Sequence, residues 1–85
     1  YTLNQNYPNP FNPSTVISFS VPVAALVTLK IYDVLGNEVA TILNSEKPAG
    51  VYEIEFNASE LTSGIYFYQI NSGAYTQTKK MLLIK

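Results

Sequence analysis

Cysteine, histidine, tryptophan and arginine are all absent from this 85-residue chain. Without cysteine no disulfide can staple a small domain, so its core must hold it alone. The loss of both cysteine and histidine removes the usual ligands of a structural zinc site. It also leaves no Ser-His-Asp triad and no Cys-His pair. Charge is scarce, at 13% of residues, where globular chains average about 25%. Five lysines against six carboxylates give a net charge of -1, so there is no basic face for nucleic acid. The longest apolar run, Val23 to Val27, is far short of the ~20 residues a membrane helix needs. The chain opens on Tyr1 without a charged-then-apolar leader and reads as a segment of a longer protein.

What remains is 47% hydrophobic, and it is patterned with period two. Ile17, Phe19 and Val21 alternate with Ser18 and Ser20, the mark of a half-buried strand. Pro22 ends that strand. Val27, Leu29 and Ile31 repeat the pattern against Thr28, Lys30 and Tyr32. Asp33 to Glu38 reads as a turn, where Gly36 and Asn37 tolerate positive φ. Glu38 to Leu43 is a shorter strand whose buried face is ambiguous, and Asn44 to Gly50 reads as a polar loop. In Val51 to Asn57, Tyr52, Ile54 and Phe56 point inward while Glu53 and Glu55 point outward. Ala58 to Ser63 is a short crossing anchored by Leu61. Gly64 to Ile70 reads as a central strand buried on both faces. A hairpin turn at Asn71 to Gly73 leads into a last strand, Ala74 to Lys85, long enough to bend or change sheet near Lys79 and Lys80.

The first 14 residues are different. Tyr7-Pro8-Asn9-Pro10-Phe11-Asn12-Pro13 concentrates three of the five prolines, which impose a stiff, extended lead-in strap packing Tyr7 and Phe11 on the domain edge. Asn9 and Asn12 are expected to bond nearby backbone. Six clear strands, with a seventh near Thr2 to Gln5, imply one domain over 1–85. Its expected class is all-β, an immunoglobulin-like antiparallel β-sandwich of six to seven strands. Tyr66 is either the ring of a tyrosine corner or a core ring with a wet hydroxyl.

Catalytic chemistry is hard to find. Glu53 and Glu55 share one strand face, but a glycosidase needs two carboxylates about 5 to 10 Å apart across a cleft. Asp33, Asn37 and Glu38 bracket a turn without the spacing of a calcium-binding EF-hand loop. No cofactor is expected. Tyr32 and Tyr75, at outward or edge positions, are the candidates for stacking on sugar. The C-terminal Thr78 to Lys85 places lysines on both sides of an apolar run. That arrangement discourages edge-to-edge pairing, and it also suits a terminus read by a receptor.

Several segments together resemble the C-terminal sorting domain of the type IX secretion system of Bacteroidota. They are Asn6-Tyr7-Pro8-Asn9-Pro10-Phe11-Asn12-Pro13-Ser14-Thr15, Leu29 to Gly36, Ala49-Gly50-Val51-Tyr52 with Phe56, Leu61 with Ser63 to Tyr68, and the lysine-rich apolar end. The resemblance spans nearly the whole chain; Asn37 is a small departure. It implies a non-enzymatic address label that sends a protein through the periplasm and outer membrane to the cell surface or medium. The implied partners are an N-terminal cargo domain, the outer-membrane translocon and a surface signal peptidase. Recognition is implied at Lys79, Lys80, Leu82, Ile84 and Lys85, with Asn9, Pro10, Gly64 and Tyr66 keeping the fold. A passive immunoglobulin-like spacer and a carbohydrate-binding module are the competing readings.

Overall fold

The computed structural model describes all 85 residues, Tyr1 to Lys85. The alternation seen in the sequence becomes seven strands and no helix. These are β1 (Thr2–Leu3), β2 (Ser14–Val21), β3 (Ala25–Tyr32), β4 (Glu38–Lys47), β5 (Gly50–Asn57), β6 (Gly64–Ser72) and β7 (Tyr75–Leu83). They form two sheets, ordered β1-β2-β5 and β4-β3-β6-β7, with every paired strand antiparallel. This is an immunoglobulin-like sandwich in which the fourth strand pairs with the third instead of the fifth. The apolar rows Ile17, Phe19 and Val21 on one sheet and Val27, Leu29, Ile31, Tyr68, Ile70, Met81 and Leu83 on the other fill the core. Nearly all of these side chains are fully buried.

The tight β3–β4 connection explains the strand order. The backbone N–H of Asp33 donates to Asn37 O at 3.0 Å and that of Gly36 to Asp33 O at 3.1 Å. Gly36 has φ of +85°, where a Cβ would be strained. The chain therefore reverses at once, and β4 has no route to β5's sheet. β4 is longer than the alternation suggests and runs to Lys47. The expected loop shrinks to Pro48 and Ala49. Two bulges shift its register against β3, between Leu29 and Lys30 and between Ile31 and Tyr32. The first leaves Ile42 unpaired, so Ile42 and Leu43 both pack on the core and no single face reads as buried.

Three other expectations need correction. β6 is central between β3 and β7, but only one face is buried; Ile65 is 40% exposed and Phe67 is half-buried. The hairpin turn is Gly73-Ala74, since Ser72 pairs with Tyr75. β7 neither bends away nor changes sheet, because it holds one register against β6 from Tyr75 to Leu83.

The strap closes one side of the sandwich. Tyr7 pairs antiparallel with Val16 of β2, and Phe11 pairs in parallel with Leu83 of β7, so the N-terminal segment passes from one sheet to the other. The Tyr7–Pro8, Asn9–Pro10 and Asn12–Pro13 peptides are cis. Phe11 is buried, its ring tilted against Phe56 at 6.4 Å. Tyr7 is 80% exposed instead. Directly paired residues share a face, and Val16 lies on the outer side of β2, opposite in phase to Thr15 and Ile17.

Candidate recognition surface

The N-terminal segment and the last strand, β7, lie side by side. As the last strand of its sheet, β7 has one edge free of strand pairing. Over Lys80 to Ile84 the strap takes up that edge. Gln5 donates its side-chain amide to Lys80 O at 2.8 Å. Leu82 N–H donates to Asn9 Oδ1 at 3.0 Å. Phe11 N–H donates to Leu82 O at 3.0 Å, and Ile84 N–H to Phe11 O at 2.9 Å. Asn9 thus bonds backbone 73 residues away, and not its own neighbourhood.

Beneath the strap lies a polar cluster that the sequence reading did not single out. Asn6 is buried. Its side-chain amide donates to Pro8 O and to Thr15 Oγ1, its Oδ1 accepts from Gln5, and its backbone N–H donates to Tyr68 Oη at 2.8 Å. Tyr68 Oη in turn donates to Asn4 O at 2.7 Å. Burial pushes the Tyr68 phenol up to about 12, against the opposing bond from Asn6. No buried side-chain polar atom lacks a partner, as a stable polar cluster requires.

The residues implied in recognition fall on different faces of β7. Lys80 is exposed and Leu82 half-buried on the outer face, with Ile84 exposed just beyond the strand in the same phase. Lys79 has the inner phase of Met81 and Leu83 and sits half-buried opposite Tyr68. Lys85 donates its backbone N–H to Ser63 Oγ at 3.0 Å and its ammonium to Ser59 O at 2.5 Å. The remaining motif residues surround this end. Gly64 pairs with Leu83 and has φ of +152°, a backbone that side-chain-bearing residues rarely adopt. Tyr66 Oη donates to Thr62 O at 2.7 Å, so the tyrosine corner is present. Pro10 is exposed between Asn9 and Phe11.

Elsewhere, candidate groups are occupied inside the chain. Asp33 Oδ1 accepts from the backbone N–H of Asn37 and of Leu35, both at 2.9 Å. These bonds, that of Asn37 foremost, hold its carboxyl below the usual range. Glu38 accepts from the Thr41 hydroxyl and pairs with Lys30 at 3.3 Å, which lowers its carboxyl likewise. No three acidic side chains converge on a cation-sized site. Glu53 and Glu55 are exposed on the outer side of β5. The Tyr75 ring is stacked on Tyr1, with centroids 4.6 Å apart and planes 8° apart. Its hydroxyl bonds Gln77. Tyr32 is half-buried beside Phe67 on the outer face of the larger sheet.

A sandwich whose N-terminal strap and last strand form one surface, with its acidic groups dispersed, has the build of a recognition module. Residues 5–85 match the family described as the secretion system C-terminal sorting domain, and the chain belongs to that family. Domains of this family are the sorting signals of the type IX secretion system; they mark proteins for export through the outer membrane to the cell surface or medium. Among solved structures, the fold resembles part of PorZ, described as an essential bacterial surface component of the type IX secretion system of Porphyromonas gingivalis. The TM-score is 0.64 at 21% identity, covering 95% of this chain and 11% of that one. The chain thus spans about a tenth of that protein. No curated protein matches the chain.

Proposed function

We propose that residues 1–85 act as one sorting unit, without catalytic activity or cofactor, that hands an N-terminal cargo domain to the outer-membrane translocon. A surface signal peptidase then separates label from cargo. The translocon reads the β7 end, through Lys79, Lys80, Leu82, Ile84 and Lys85, while Asn9, Pro10, Gly64 and Tyr66 hold that end in place. The observation that carries this reading is the family match over 5–85, joined to the lysine-bearing outer face of β7 at the sheet's edge. A spacer has no need to present such an end. A sugar-binding site would need free aromatic faces, and Tyr75 already lies against Tyr1.

The test is a transplant. The 85 residues are fused to the C-terminus of a periplasmic fluorescent protein in a host with the type IX machinery. Export of the fusion supports the reading; retention of a folded fusion in the periplasm sinks it. Truncation at Lys79 is a poor control, because it removes Met81 and Leu83 from the core. Replacing Lys79, Lys80 and Lys85 with Gln leaves those two residues in place and is expected to impair export.

A further inference from the structure

Strand addition is the simplest way for a receptor to grip a sheet, and this sandwich offers poor edges for it. β1 has two residues. β4 carries two bulges, and the outer side of β5 carries Glu53 and Glu55. β7 is sealed by the strap over Lys80 to Ile84. Each is a device that blocks edge pairing. Beside these edges stand the two outer sheet faces, and they differ. On the three-stranded face the polar side chains pair with one another, Thr2 with Ser20 at 2.6 Å and Asn4 with Ser18 at 2.8 Å, and no hollow lies beside the exposed apolar side chains Tyr7 and Val51.

The four-stranded face is apolar at the end where the strap reaches the C-terminal end of β7. There Ile65 stands as a ridge between two hollows. One, about 420 Å³, is lined in part by Val34, Leu35, Leu61 and Ile65, with Asp33 and Glu60 also on its wall. The other, about 130 Å³, is lined by Asn9, Ile65, Lys80, Met81 and Leu82. Leu35 is 83% exposed. Both acids lie on one side of the ridge and the lysine on the other. Lys80 and Glu60 have no ion-pair partner, since the molecule's single salt bridge joins Lys30 to Glu38.

From this geometry we infer that the docking site for the export machinery is the Ile65 ridge. Its occupant is a protein segment that sets apolar side chains into both hollows, with a carboxylate toward Lys80 and a cation toward Glu60. The inference rests on the sorting role proposed above and adds the surface and its charge polarity. An apolar centre with charges at its rim is the usual anatomy of a protein interface. The strap contributes Asn9 to one wall of the smaller hollow, so the site is built from both ends of the chain.

The test uses the same reporter fusion with Ile65→Asp, Ile65→Thr, Lys80→Glu and, on the opposite face, Val51→Asp. Ile65→Asp is expected to cut the exported fraction about tenfold or more, as loss of a central anchor does. Ile65→Thr and Lys80→Glu should cut it less, and Val51→Asp should stay within about twofold. Thermal melting of each purified variant checks folding. A photo-crosslinking benzophenone at position 65, with position 51 as control, decides the matter should Ile65→Asp not fold. Export of folded Ile65 variants at the unsubstituted level, or crosslinking at 51 equal to that at 65, overturns the ridge and leaves the sorting role standing. Retention of the unsubstituted fusion overturns both.

Discussion

Leu82 donates its backbone N–H to the side-chain oxygen of Asn9 at 3.0 Å. That bond ties the proline-rich lead-in to the strand it covers. Asn9→Ala is expected to cost about 1 kcal/mol, the net worth of one such bond where water can partly replace it. Asn9→Asp keeps the acceptor and should recover most of the loss. Urea denaturation measures both, and hydrogen exchange should show the Leu82 amide opening faster in the alanine variant alone. Unchanged exchange would mean that the strap does not hold this edge.

Phe11 is the deeper anchor of the same strap, almost fully buried against Phe56. Phe11→Ala should cost about 3–5 kcal/mol. Domains of this size have a total stability on the order of 4–13 kcal/mol, so the loss is a large share. With the strap loosened, the outward backbone groups of β7 from Lys80 to Ile84 lose their partners. The variant should then self-associate as concentration rises, which sedimentation velocity would detect. A monomeric, fully stable variant would contradict this account of the edge.

At the tyrosine corner, Tyr66 Oη reaches Thr62 O at 2.7 Å. The bond fixes the crossing loop against the start of β6. Tyr66→Phe keeps the ring and should lower stability by about 1 kcal/mol, read from the shift in urea midpoint at unchanged slope. Thr62→Ala should do little, because the partner is the backbone carbonyl and the hydroxyl contact is long, at 3.5 Å.

Tyr68 makes stability depend on pH at the alkaline end. Its phenol is pushed up to about 12 by burial, while an unfolded tyrosine ionises near 10. The folded state therefore holds its proton more tightly than the unfolded state. The resulting stability is fully present below pH ~10 and is lost as pH rises toward ~12. Tyr68→Phe should abolish that component, so the difference in midpoint between the two proteins should shrink across this interval. The phenylalanine variant should be less stable at neutral pH, since Asn4 O and Asn6 N–H lose their shared partner.

Strands with strict alternation were legible from sequence: Ile17, Phe19 and Val21 are all buried, as are Val27, Leu29 and Ile31. In β4 the alternation is broken by the bulge at Ile42, which lets neighbouring Ile42 and Leu43 both face the core. Ile65 and Phe67 lie in a continuous apolar run, and such a run does not distinguish a strand buried on both faces from one whose second face meets a partner. The same run contains the ridge residue Ile65. The family resemblance drew attention to Asn9, but not to its contact with Leu82. That contact depends on how the strap crosses between sheets, a tertiary fact that no local spacing carries.

The two lysines beside each other on β7 separate charge from address. Lys79 has the inner phase opposite Tyr68, and Lys80 the outer phase opposite Phe67 beside the smaller hollow. If the outer face dominates what the translocon reads, Lys80→Gln should reduce export of a reporter fusion more than Lys79→Gln, although both remove one positive charge. Neither should move the melting temperature by more than a few degrees, because neither lysine is in an ion pair and surface substitutions of this kind stay within about 0.5 kcal/mol. Equal impairment by both would point instead to long-range attraction by net charge. That alternative has its own signature, since it weakens as ionic strength rises and contacts at the Lys80 hollow, once desolvated, are far less screened. Export measured for the two single variants, beside salt-dependent binding of the purified domain to the isolated translocon, tells the two apart.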